Sequence, residues 1–209
     1  MSRYRKLFLL ASLAILLHGC RSGYSALKPQ APDSTCIQKL KPVATTAWYH
    51  AGVDVGGKHL SGLLLIKNMP DSARRVVFTS EAGLTFFDFE FRDGDRFLVH
   101  TIIHKMDRKP VVSTLRKDFA LLLGEPFRNK TISAWRSGNE VYFGTVKNKE
   151  ASYFIADANC ANLQRLEMGS RRKRKVTIDF DGKDTVNVVH HTFPMKIQLL
   201  RLKKNDADR

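Results

Sequence analysis

Residues 47–68, AWYHAGVDV-GG-KHLSGLLLIKN, decide the reading of the fold. Ala47–Val55 and Lys58–Asn68 are strand-type segments, and Gly56-Gly57 between them is a strong signal for a two-residue hairpin. Working forward, Pro70 and Asp71 mark a turn within 68–73, and Arg74–Ser80 holds Val76, Val77 and Phe78. Glu81-Ala82-Gly83 turns the chain again. Leu84–Arg92 alternates, with Leu84, Phe86, Asp88 and Glu90 on one face and Thr85, Phe87, Phe89 and Phe91 on the other. Asp93-Gly94-Asp95 leads into a strand over Arg96–Thr101. Strands joined by such short turns are antiparallel, because parallel pairs need long crossovers.

The period then changes. Val111, Val112, Leu115, Phe119, Leu122 and Leu123 recur at helical spacing between Pro110, suited to a first turn, and Gly124, suited to a stop. One amphipathic helix over 110–123 is predicted. Strands return in 131–135, 140–147, 151–156, 163–168, 172–180, 185–191 and 196–202. The fold class is mainly β (α+β), with one central helix between two meanders.

Chemistry is harder to find. The chain holds no G-x-S-x-G elbow, no phosphate loop and no H-E-x-x-H pair. His100 and His104 are four apart, but they fall where a strand ends. His190 and His191 are adjacent, so on a strand they face opposite ways and cannot share a metal. Asp88 and Glu90 read as the solvent side of a half-buried sheet. The protein is expected to be non-enzymatic, with no catalytic residue, no metal and no cofactor. In the basic run Arg171–Lys175, alternation sends Arg172 and Arg174 to the side of Val176, Ile178 and Phe180. That run is a solvated strand end or, second, a contact for anionic headgroups through Arg172 and Arg174.

The apolar load is heavy and two-sided. Leu64-Leu65-Ile66 and Phe86-Phe87 put apolar groups on both faces of their strands. One face can pack on the helix; the other needs a second layer or a ligand. The alternatives are a plain two-layer core and an apolar cavity lined by Leu64, Phe78, Phe87, Phe89, Leu115 and Phe119.

Backwards from the hairpin, Pro29, Pro32 and Pro42 among polar residues give 21–46 the composition of a flexible tether. Ahead of it, Arg3, Arg5 and Lys6 precede an apolar or small run, Leu7–Leu17, of secretory-signal length. That run is shorter than the roughly 20 residues that span a bilayer. Leu17-His18-Gly19-Cys20 resembles a bacterial lipobox, although a small residue is usual where His18 stands. The resemblance implies cleavage before Cys20, acylation of its sulfur and usually of its new amine, and anchorage in the cell envelope. Arg21 follows, where an Asp in well-studied lipoproteins favours the inner membrane; outer-membrane sorting, facing the periplasm, is implied.

The expected domains are therefore a signal at 1–19, a lipidated Cys20 and tether to 46, one β-rich domain over 47–204 and a charged tail at 205–209. Loss of 1–19 removes three positive charges from the formal +15, leaving +12. Nucleic acid is scarce outside the cytoplasm, so none is expected as a partner; membrane phosphates, lipopolysaccharide or acidic proteins are better candidates. Cys36 and Cys160 remain as an even pair in a compartment that permits disulfides, either bridged or as two free thiols.

The order of tethered N-terminus, meander, helix and second meander resembles the LolA/LolB-like lipoprotein carrier and receptor fold. The segments that look like it are Gly62–Asn68, Gly83–Glu90 and Lys117–Gly124. The resemblance implies a strongly curved antiparallel sheet or half-barrel, with the helix packed on its concave face around a cavity for acyl chains. It implies a non-enzymatic protein that binds an acyl chain or a lipoprotein. The alternative is a structural accessory lipoprotein of an envelope complex, with another envelope protein as partner.

Overall fold

The structure is a computed structural model that describes residues 24–43, 45–170, 173–182 and 184–203. In chain order its elements are β1 (Lys28–Gln30), α1 (Ser34–Leu40), β2 (Ala47–Val55), β3 (Lys58–Asn68), β4 (Arg74–Thr79), β5 (Thr85–Arg92) and β6 (Arg96–Ile102). After them come α2 (Lys109–Leu122), a 3-10 turn (Glu125–Phe127) and β7 (Ser133–Ser137). The second meander continues through β8 (Glu140–Lys147), β9 (Glu150–Asp157), β10 (Leu163–Ser170), β11 (Arg174–Asp181), β12 (Thr185–His190) and β13 (Met195–Arg201).

Gly56 and Gly57 both take positive φ, 55° and 77°, between the pair Val55 and Lys58. That backbone matches the right-handed twist of the flanking strands, which is why two glycines sit there. Each strand of β3–β6 pairs antiparallel with its predecessor, and so does each of β8–β13. β13 then pairs with β2 from Met195↔Val55 to Arg201↔Tyr49, and fuses the two meanders into one antiparallel sheet of 13 strands. The sheet is not closed: β1 and β6 are its two edges.

One side of the sheet carries the main core. Val76 and Phe78, Phe87, Phe89 and Phe91, Phe143, Phe154, Leu166, Ile178 and Ile197 alternate into it from successive strands. α2 lies on that side and buries Leu115, Phe119 and Leu121. Pro110 sits in its first turn, as expected, and Gly124 ends it at φ 74°. A Cβ on Gly124 would lie 2.3 Å from the Pro42 carbonyl oxygen, so the helix stop also admits the N-terminal arm.

The other side of β7–β10 carries a smaller cluster: Tyr142, Ala151, Tyr153 and Ile155, with Trp135 and, from the arm, Tyr24 and Leu27. The expectation of a flexible tether up to residue 46 is corrected for the described part of that stretch. Pro29 lies in β1, an edge strand paired only with β7, where a missing N–H is tolerated. Asp33 caps α1, its Oδ1 accepting from Thr35 N at 2.8 Å and Cys36 N at 3.1 Å. Cys36 and Leu40, one turn apart, then pack into the core. The prolines punctuate this segment without dissolving it, and α1 adds a second helix to the single one expected. The signal, Cys20 and the tail 205–209 lie outside the described residues.

Candidate functional site

The six residues expected to line a cavity are packed against one another. Leu64, Phe78, Phe87, Phe89, Leu115 and Phe119 are all at most 3% exposed and belong to one cluster. The Phe87 ring stacks on Phe89 at 4.4 Å between centroids, and both Phe78 and Phe119 meet it at 5.6 Å. Two shallow clefts, of about 270 and 330 Å³, run along the N-terminal arm and touch none of the six.

The polar groups fall into three sets. The first lies under α2. Asp118 occupies the buried face of the helix, and its Oδ2 sits 2.8 Å from Nε2 of His190 on β12. Both side chains are almost fully enclosed, and Asp118 Oδ1 is buried without a hydrogen-bond partner. Burial drives the Asp118 carboxyl above the usual range, and His190 pulls part of that back. Sequence reading missed Asp118, although its spacing of three from Leu115 puts a carboxylate on the apolar stripe.

The second set is on the outer face of β5. Arg75 holds Asp88 with two hydrogen bonds, at 2.7 and 2.5 Å. Arg92 and His100 hold Glu90, the latter at 2.6 Å. These hydrogen bonds, Arg92 foremost, keep the Glu90 carboxyl below its usual range. Asp88 and Glu90 face away from Phe87, Phe89 and Phe91, but both are buried beneath the bases that cover them, which corrects the expected solvent-side position.

The third set lies beneath the N-terminal arm. Glu167 is nearly inaccessible and receives Arg165 Nε at 2.7 Å and Arg174 at 2.8 Å. Arg165 also grips Glu140 through two bonds, at 2.5 and 2.9 Å. Tyr24 buries its hydroxyl here; desolvation and the Glu167 charge raise its pKa strongly. Arg174 therefore points opposite to the expected side. A register shift between Met168 and Gly169 breaks the alternation, and Gly169 makes it possible, since a Cβ there would meet the Lys173 carbonyl at 2.3 Å. Arg172, the other expected headgroup contact, lies outside the described residues.

His190 and His191 do face opposite ways: His191 bonds Thr177 at 2.7 Å on the outer side. Burial, then Arg174, lowers the His191 pKa. Cys36 and Cys160 form a disulfide that ties α1 to the β9–β10 loop. Among the described residues no group of three His, Cys, Asp or Glu side chains could hold a metal, and no helix is long and apolar enough to cross a membrane.

The sheet edges differ. β1 has three residues, including Lys28 and Pro29, both of which discourage further pairing. β6 has seven, and its run 97–102, FLVHTI, contains neither Lys nor Pro. Leu98 and Val99 are each 42% exposed on it. Comparison with protein-family models and with curated proteins finds no match.

Proposed function

We propose that this is an exported, non-enzymatic protein anchored through a lipidated Cys20, whose domain serves an envelope protein complex as an accessory subunit. The observation that carries this reading is the long β6 edge, which holds neither Lys nor Pro over 97–102 although a bulge at His100 interrupts it. Exposed backbone donors and acceptors with two flanking apolar side chains can accept an extended strand of a partner. In this reading the sheet is a half-barrel curved around α2. Support comes from the reach of one helix: Phe119 meets Phe87 on β5, Asp118 meets His190 on β12, and α2 packs on β10. β5 and β10 are seven strand steps apart in the sheet order. A flat sheet would separate them by about 34 Å at roughly 4.8 Å per step. A helix about 10–12 Å across bridges that distance only if the sheet bends around it.

A second reading, binding of an acyl chain or a lipoprotein, is favoured by one observation. The unpartnered Asp118 oxygen weakens the α2–sheet contact, so α2 is the element that would lift to open a cavity over Phe87 and Phe119. Affinity purification of the full chain from its membranes separates the two. The accessory reading expects one stoichiometric protein partner, lost when Leu98 and Val99 are both changed to Lys. Unchanged recovery of the partner by that variant would remove the edge from the account.

A further inference from the structure

The kind of strand that β6 accepts is set by what surrounds its free edge. β6 pairs with β5 on one side only, and that ladder passes from Phe89↔Val99 to Asp88↔Thr101, leaving His100 as the extra residue. The bulge splits the free edge into two short pieces, 97–99 and 101–102. Backbone pairing over so few residues is weak, so side chains must contribute to a stable contact. Leu98 stands opposite Glu90 and faces outward, whereas Val99 stands opposite Phe89 and faces the α2 side.

α2 runs beside this edge. A turn closed by the Met106 and Asp107 amides, both donating to the Ile103 carbonyl, carries the chain from β6 into α2 at Lys109. Further along the helix, Arg116 returns to the start of β6. Its guanidinium donates to the Asp95 carbonyl oxygen at 3.0 Å and lies 5.1 Å from the centre of the Phe97 ring. Between these points the helix exposes Lys109, Ser113 and Arg116. The one acid of α2, Asp118, is turned into the core.

The charge along the edge is therefore unbalanced. Asp93 and Asp95, in the β5–β6 turn, already meet Arg128, Lys130 and Lys147. Arg96, at the start of β6, donates to the Asp93 carbonyl oxygen and meets no carboxylate among the described residues. Glu90 is taken by Arg92 and His100. At the far end, Asp107 is one exposed acid among three exposed bases, Lys105, Arg108 and Lys109. Bases exceed acids from Arg96 to Lys109.

We infer that the partner's strand at β6 is an extended acidic segment, a reading that rests on the β6 edge as the docking site and adds the chemistry of what docks there. Its backbone pairs with 97–99 and 101–102, an apolar side chain covers Val99, and its carboxylates meet Arg116 and Lys109. Opposite charge along the edge compensates for the ladder that the bulge interrupts, and like charge disfavours a basic strand.

The test uses the purified full chain in neutral detergent and two peptides of seven residues, the length of β6. One alternates glutamate with valine, the other lysine with valine. The glutamate peptide is expected to bind, to slow amide exchange over 97–102, and to weaken as salt rises. Arg116→Gln and Lys109→Gln, both at exposed positions, should each weaken it by up to about fivefold. Lys58→Gln, at the β2–β3 turn, should leave it unchanged. Equal protection of 97–102 by both peptides overturns the acidic partner and leaves the edge standing. Binding of the glutamate peptide without protection of 97–102 overturns the inference, because the charge is then met elsewhere. Protection by neither peptide overturns the edge itself as the docking site.

Discussion

His190 Nε2 lies 2.8 Å from Asp118 Oδ2 inside the apolar core, joining β12 to the buried face of α2. Removing the imidazole would leave a carboxylate without any partner, because Asp118 Oδ1 already has none. His190→Ala should cost about 3–5 kcal/mol in denaturant unfolding at neutral pH. Asp118→Asn keeps the shape and an acceptor for His190, so it should equal or exceed wild type. The double variant should lose less than His190→Ala alone.

The same pair sets a pH trend. The folded Asp118 carboxyl titrates above its unfolded value near 3.8, for which burial is the first cause. The protonated form is thus favoured by folding. Its contribution is complete below that unfolded value and is lost as pH rises through the raised folded one. Asp118→Asn should remove this component. Unfolding curves of the two proteins should therefore converge as pH falls through that window, and diverging curves would contradict the assignment.

The disulfide closes a loop with a sequence separation of 124 residues. Reduction, or Cys36→Ser, should cost about 2–5 kcal/mol. Alkylation of the unreduced protein should modify neither Cys36 nor Cys160; full modification of both would show that they are not bridged.

Phe119→Ala should cost about 3–5 kcal/mol, as expected for a large side chain removed from a packed core. Phe119 is 3% exposed and meets the Phe87 ring, so it has no empty space into which the loss could be absorbed. A loss well below 1 kcal/mol, read as a nearly unchanged melting temperature, would mean that the residue borders an opening.

Much of the sheet was legible because its signals are local. Gly56-Gly57 and Asp93-Gly94-Asp95 mark turns, and Phe87, Phe89 and Phe91 mark a face by alternation. Pro110 and Gly124 bracket the helix to within a residue. What escaped depends on partners distant in sequence. The β13–β2 pairing joins residues about 150 positions apart, and nothing within either strand names the other. The arm was misread because its order comes from elsewhere: β7 supplies the ladder for Lys28–Gln30, and Cys160 supplies the bridge for Cys36. Arg174 was assigned to the wrong face because a register shift at Gly169 resets alternation, and a single glycine in a strand is a weak sign of a bulge. The apolar stripe of α2 was visible, but its composition alone did not distinguish a filled core from a lined cavity.

The space between α2 and the sheet is filled by the protein's own side chains, and the proposed function runs through the anchor and the β6 edge. Native mass spectrometry of the full chain, extracted gently from its membranes, tests this most directly. The expected mass is that of a chain beginning at Cys20 with covalent acyl groups, one bound protein partner and no additional lipid. A fatty acid or lipopeptide retained non-covalently at one per chain would contradict it, and would make α2 the lid of a ligand cavity.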